Sequence, residues 1–471
     1  MRRGSWDGAR APVWRRLVTG GAGGVAVLAA WLGFAAAAHA QAGGNASLVA
    51  RGEYLARAAD CTSCHTVPQG RPFAGGRAFT LPFGTIYAPN ITADKKTGIG
   101  NWSDDDFVRA LHEGVTRSGR HLYPAMPYTS YTLMSRDDIL AIKAYLFSLP
   151  PVSQRNQRSR LRFPFDQRWG MFFWNLLFNP NHRFQPDPKQ SPAWNRGAYL
   201  VEALGHCAEC HTPRNIAMAR DNGQAFAGAM AQGWTAYNIT PDKQSGIGAW
   251  SDAALTSFLA SGHAEGHSAA AGPMGEVVEN SLRHLTKDDI AAIVTYLKTV
   301  RPIANAPAVA TDPPARQSPA APVALGDLGT RTFAGECAGC HAWDGSGVQS
   351  PAAALIGSRT VNDPAGTNLV NVMLEGVYLD LNGGPVFMPP FAAAHSNDEI
   401  AAVANFVNHR FGNGAAHVTA ADVVSARHGN VEPWPDWWLW LGTAVAIIVA
   451  LLVIRLIVWI VSLPFRRRVP A

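Results

Sequence analysis

The pattern CxxCH occurs three times, as CTSCH at Cys61–His65, CAECH at Cys207–His211 and CAGCH at Cys337–His341, and these frames use all six cysteines of the chain. Two thiols one helical turn apart can add to the two vinyl groups of a haem, and the histidine beside the second thiol then lies under the iron as an axial ligand. The frames therefore predict three covalently bound haem c groups. Cys61, Cys64, Cys207, Cys210, Cys337 and Cys340 would attach them, with His65, His211 and His341 on the irons. A disulfide framework has no cysteines left to use. Zinc would need paired CxxC units giving four ligands each, and three units do not pair off.

A small haem domain of this kind closes its iron with a methionine sulfur, which raises the potential and leaves no open position, as electron transfer requires. Met126 in YPAMPY falls 61 positions after His65, Met274 in AGPMGE 63 after His211, and Met388 in VFMPPF 47 after His341. Each stands in a Pro- or Gly-flanked stretch ahead of its unit's last helix, so all three are expected in loops as sixth ligands. His263 and His267, in GHAEGHSAAAGPM, compete with Met274. Met134, Met218, Met230 and Met373 are expected to be packing residues, and Met171 belongs to a linker.

The elements that must position these residues repeat along the chain. RGEYLARAADCTSCH from Arg51, RGAYLVEALGHCAECH from Arg196 and LGTRTFAGECAGCH from Leu328 each read as a helix leading into the frame. NITADKKTGIGNWSDDDFVRAL from Asn90 matches NITPDKQSGIGAWSDAALTSFL from Asn238, so the first two units are near duplicates. Each unit closes on a capped amphipathic helix: SRDDILAIKAYLFSL from Ser135, TKDDIAAIVTYLKTV from Thr286 and SNDEIAAVANFVNHR from Ser396. Strand-like alternation is scarce, which predicts a mostly α fold.

The chain's 471 residues are 47% hydrophobic and 16% charged, as suits several folded domains. Residues 1–40 combine a basic start, an apolar stretch and Ala38-His39-Ala40, the pattern of a cleaved signal peptide; c-type haem is attached outside the inner membrane, so the two signals agree. Residues 437–463 form an apolar run long enough to span a bilayer, with Trp437, Trp438 and Trp440 at its outer edge. Arg455 can snorkel toward Arg466–Arg468, which the positive-inside rule places in the cytoplasm. The formal charge of +6 resides in these ends, and the remaining body, at −2, gives no support to nucleic-acid binding. The predicted order is haem domain 41–152, linker 153–190, haem domain 191–303, Pro/Ala linker 304–323, haem domain 324–414, linker 415–436, the transmembrane helix and a basic tail 464–471.

From RGEYLARAADCTSCH through YPAMPY and LGHCAECHTPR to GECAGCHAWDGSGV and FMPPF, the chain resembles the triheme cytochrome c subunits of bacterial membrane-bound dehydrogenases. The resemblance implies three tandem cytochrome c-like domains plus a C-terminal transmembrane helix, anchored in the inner membrane and facing the periplasm. It implies an electron-transfer subunit without catalysis of its own. Electrons would pass from a molybdenum, quinoprotein or flavoprotein dehydrogenase subunit, of alcohol or aldehyde type first, to ubiquinone. The terminal span departs from the polar tail of alcohol-type subunits and keeps sugar and polyol partners open. A terminal-oxidase subunit, or a haem enzyme with one open iron, are the rival readings. The aromatic stretch RWGMFFWNLLF, Arg168–Phe178, suggests a quinone pocket or partner interface, or else packing of the linker onto the first domain.

Overall fold

The computed structural model describes residues 46–305, 327–347, 351–381 and 384–466. The predicted signal segment 1–40, the Pro/Ala stretch from 306 onward and the last five residues lie outside the described residues.

Each of the three repeat units is built from an opening helix, the CxxCH turn and a closing helix laid across the opening one. In the first unit these are the helix over 46–58 and Arg136–Ser148, in the second Pro192–Tyr199 and Lys287–Leu297, and in the third Leu328–Thr332 and Asn397–Phe411. The closing helices start where the sequence places their caps: Ser135, Thr286 and Ser396 accept from the backbone N–H of Asp138, Asp289 and Glu399. At the crossing the backbones nearly touch. A Cβ at Gly52 would collide with the Ala141 carbonyl, and at Gly197 with the Ala292 carbonyl, so only glycine permits the approach.

The first two units share one contiguous apolar core, in which Leu55, Ile139, Ile142 and Leu146 meet Leu200, Leu204, Ile290 and Ile293. The third has its own, around Phe333, Ile400, Val403 and Val407. Each such side chain contributes about 1.5–3 kcal/mol by leaving water. The fold is mostly α, and the strands that exist are short. They form hairpins Ala78–Leu81/Gly84–Tyr87, Ala229–Ala231/Trp234–Ala236 and Val377–Leu381/Gly384–Met388. At three to five residues, they are too short for alternation to be visible in the sequence.

The segment 153–190 is not a free tether. Gln154 donates to the Ala74 carbonyl and Asn156 accepts from the Asn90 N–H at 2.6 Å. Strand Arg160–Leu161 then pairs with Gly84–Thr85, and the helix Gly170–Phe178 follows. At the other end, helix Asp436–Arg466 carries the apolar run Trp440–Ile460, long enough to cross a membrane.

Candidate haem sites

Each frame forms a short helical turn: Cys61–His65, Ala208–His211 and Ala338–His341. In the second and third units the opening helix widens into a π-helical stretch, Leu200–Leu204, which ends before its frame, and Phe333–Cys337, which runs into the first cysteine of its frame. In the first, Asp60 turns the chain at φ 49°. The six thiols form no disulfide. Burial pushes Cys61, Cys64 and Cys207 up to about 12 and Cys210 and Cys337 to about 11, so these thiols are protonated in the free chain.

The three histidines are held alike. His65 Nδ1 lies 2.8 Å from the Pro89 carbonyl, His211 Nδ1 2.6 Å from the Tyr237 carbonyl, and His341 Nδ1 2.6 Å from the Ala353 carbonyl. A carbonyl can only accept, so the proton sits on Nδ1 and the Nε2 lone pair is free for a metal. Burial lowers all three pKa values, which keeps the rings neutral. Three frames with oriented, neutral imidazoles fit covalent haem c.

The methionines are placed less uniformly than the sequence suggests. Met126 sits in a turn, its N–H donating to the Tyr123 carbonyl at 3.1 Å, as expected of a loop ligand. Met274 is instead in the first turn of helix Gly272–Asn280, because Pro273 is suited to start a helix. Met388 ends the strand Gly384–Met388. Met126 and Met274 pack against the shared core and Met388 against the third unit's core. Of the competitors to Met274, His267 lies flat on the Trp250 ring at 3.5 Å. Met134 and Met373 are core residues as expected, whereas Met230 is 55% exposed on a hairpin, its sulfur accepting from the Thr235 hydroxyl at 3.5 Å.

Sequence reading missed how the first two units meet. Tyr54 of the first donates to Asp289 of the second at 2.5 Å, and Tyr199 of the second donates to Asp138 of the first at 2.5 Å. Arg196 holds Asp289 at 2.8 and 2.6 Å, and Arg51 holds Asp138 at 2.5 Å. Equivalent residues thus exchange equivalent contacts, the mark of a two-fold interface inside one chain.

The same symmetry brings the frames together. Glu209, inside CAECH, accepts from Thr129 at 2.8 Å, just beyond Met126, and is paired with Arg214 at 2.6 Å. Burial opposes its charge, but Arg220 and Arg214 outweigh it and hold its carboxyl below the usual range. On the other side Asn280, on the helix of Met274, donates to Ser63 inside CTSCH at 2.9 Å, and Glu276 pairs with Arg77 at 2.7 Å. Asp60, bonded to Ser63 at 2.5 Å, is raised to about 7 by burial.

The third unit bears on the second. Asn368 bonds the backbone of Thr235 in both directions, at 2.8 and 2.9 Å. Arg359 lies 4.5 Å over the Tyr237 ring and donates to the Ser245 carbonyl at 2.5 Å, while the Tyr237 hydroxyl donates to Asp363 at 3.3 Å. Tyr237 is the residue whose carbonyl orients His211, so a side chain of the third unit grips the support of a histidine in the second.

A family model described as cytochrome c matches residues 49–150 and 327–410. The gluconate 2-dehydrogenase cytochrome c subunit of Pantoea cypripedii is 42% identical over 422 residues, 86% of this chain and 94% of that protein. The alcohol dehydrogenase (quinone) cytochrome c subunit of Gluconacetobacter polyoxogenes is 38% identical, over 84% of this chain and 87% of that protein. The fructose dehydrogenase cytochrome subunit of Gluconobacter japonicus is 36% identical, over 88% and 90% respectively.

Proposed function

This chain belongs to the family of cytochrome c subunits of membrane dehydrogenases, and from that premise we propose that it relays electrons from a catalytic dehydrogenase subunit to ubiquinone through three haem c groups. The observation that carries the reading is the threefold recurrence of CxxCH with its histidine Nδ1 tied to a backbone carbonyl. Haem c, when bound, supplies one-electron redox chemistry. The chain's own residues do the rest. Cys61 and Cys64, Cys207 and Cys210, and Cys337 and Cys340 hold the groups in place. His65, His211 and His341 are oriented to present Nε2, and Met126, Met274 and Met388 are assigned as sixth ligands.

The shared core of the first two units supports close spacing of their frames, and the Arg359 clamp ties the third unit to the second. Ubiquinone as acceptor is supported by the quinone named in the alcohol dehydrogenase relative. Anchoring in the inner membrane, with the haem units in the periplasm, is supported by the apolar run Trp440–Ile460 and by the signal-like start of the chain. The relatives serve gluconate, alcohol, fructose and nicotinate dehydrogenases, which supports a dehydrogenase partner without restricting its substrate to one class; an alcohol or aldehyde is the first reading and a sugar-type compound the second.

Purification of the detergent-solubilised complex through this chain, followed by mass spectrometry, tests the reading. A molybdenum, quinoprotein or flavoprotein dehydrogenase subunit in stoichiometric amount is the expected result. An oxidase core, or no partner, would overturn it.

A further inference from the structure

Trp169, Phe172, Phe173, Leu176 and Leu177 recur at spacings of three and four, which puts them on one face of the helix Gly170–Phe178 and the residue that precedes it. On a helix packed against a water-soluble body, that face is the buried one. Here the arrangement is reversed. Trp169 is 68% exposed, Phe172 54%, Phe173 56%, and Leu176 and Leu177 74% each.

The inward face is fastened by polar groups, so the outward direction is built in. Asn175 accepts from the Tyr128 hydroxyl at 2.7 Å and donates to the Glu113 carbonyl at 2.9 Å. Trp174 donates to the Ala217 carbonyl at 2.8 Å. The neighbouring Ile216 is fully exposed as well.

The same segment is joined to the C-terminal helix where its apolar run begins. Arg162 donates to the Trp434 carbonyl at 2.7 Å and pairs with Asp436, and the Phe163 ring lies 6.1 Å from that of Trp440. Phe83 and Phe165 complete the joint around Trp434, at 5.4 and 5.5 Å. A segment that is fastened at Arg162–Phe165 to the entrance of a membrane span and a few residues later presents an exposed apolar face bearing aromatic rings has the chemistry of the headgroup–acyl boundary.

We propose that the Trp169–Leu177 face is a second membrane contact, inserted in the interfacial layer of the bilayer beside the C-terminal span. It rests on the reading of that span as an anchor. A single helix leaves the haem units free to swivel about it, and a second contact fixes which side of the body meets the membrane. Quinone would then reach the body from a defined side.

Because every native cysteine belongs to a haem frame, the matured chain offers an introduced cysteine as its one free thiol. Phe173→Cys and Leu177→Cys, each spin-labelled in the full complex reconstituted into liposomes, report exposure to oxygen, which partitions into lipid, and to a water-soluble nickel chelate. Ile448→Cys, within the span, provides the comparison. The expected result is oxygen-dominated relaxation at 173 and 177, shallower than at 448. Nickel-dominated relaxation at 173 and 177, with 448 in lipid, would overturn the second contact while leaving the anchor. Shielding of both sites from both probes would overturn it in favour of a protein partner or a second copy. Water exposure at 448 would overturn the anchor, and this inference with it.

Discussion

Replacing Tyr54 and Tyr199 together by phenylalanine should loosen the first two repeat units from each other while leaving both CxxCH frames intact. Each hydroxyl crosses the internal two-fold interface to a carboxylate at 2.5 Å. A hydrogen bond to a charged group contributes about 1.5–3 kcal/mol. Asp289 and Asp138 keep their arginines in the variant, so the lower value applies to each bond. The two sites are neighbours, since Arg196 feels Asp138 as well as Asp289, and their effects should not simply add. The double variant is therefore expected to lose about 1.5–3 kcal/mol. Denaturant unfolding of the full chain in detergent, followed by circular dichroism in the Soret band, measures it. The pH dependence has a definite sign. Burial pushes Asp289 up, but its bonds from Arg196 and Tyr54 outweigh this and hold it below the ordinary carboxylate value. Its contribution is thus fully present above about pH 3.9 and is lost as pH falls through the lower folded value. Wild type and variant should differ at neutral pH, and the part of the difference carried by the Tyr54–Asp289 bond should shrink in acid. A neutral-pH difference below about 0.5 kcal/mol, the level of an ordinary surface substitution, would refute the assignment of these contacts to the interface.

Met126→Ala, Met274→Ala and Met388→Ala should each lower the potential of one haem and let one equivalent of carbon monoxide bind the reduced protein, measured by redox titration and optical spectra. An unchanged spectrum for Met274→Ala would move the second ligand to His263 or His267. Arg359→Gln removes a positive charge beside Tyr237 and should lower the potential of one haem, with the other two unmoved in the same titration. His112 is 3% exposed, bonds the Met134 carbonyl at 3.0 Å, and is lowered to about 4 by burial. The unfolded chain takes up this proton first, so stability should fall between about pH 6.5 and pH 4 by at most about 3 kcal/mol. His112→Gln should flatten that slope in unfolding experiments.

Much of this architecture is legible in the sequence because it rests on local patterns. The frames, the repeated opening helices and the caps at Ser135, Thr286 and Ser396 are all set by residues within a few positions of one another. The interface between the first two units is not legible in that way. Tyr54 and Asp289 are 235 positions apart, and in the sequence each serves equally well as an ordinary residue of its own helix. Glu209 gave no signal either, since it stands at an unconstrained position of CxxCH and takes its role from Thr129 and two arginines brought in by folding. Met274 was expected in a loop because Gly272 and Pro273 are breakers inside helices, yet Pro273 at a helix start favours the turn that carries the sulfur. The aromatic linker shows its period in the sequence, but the outward direction of Trp169 and Leu177 depends on Asn175 meeting Tyr128 and Glu113.

The relay itself is tested most directly by anaerobic redox counting. The purified complex is reduced, its haem per chain is determined from the α-band, and a short-chain ubiquinone is added while reoxidation is followed. Three haem equivalents per chain, all reoxidised with one quinol formed for every two electrons lost, are expected. Two haems per chain, or haems that stay reduced in excess quinone, would contradict a three-haem path to ubiquinone.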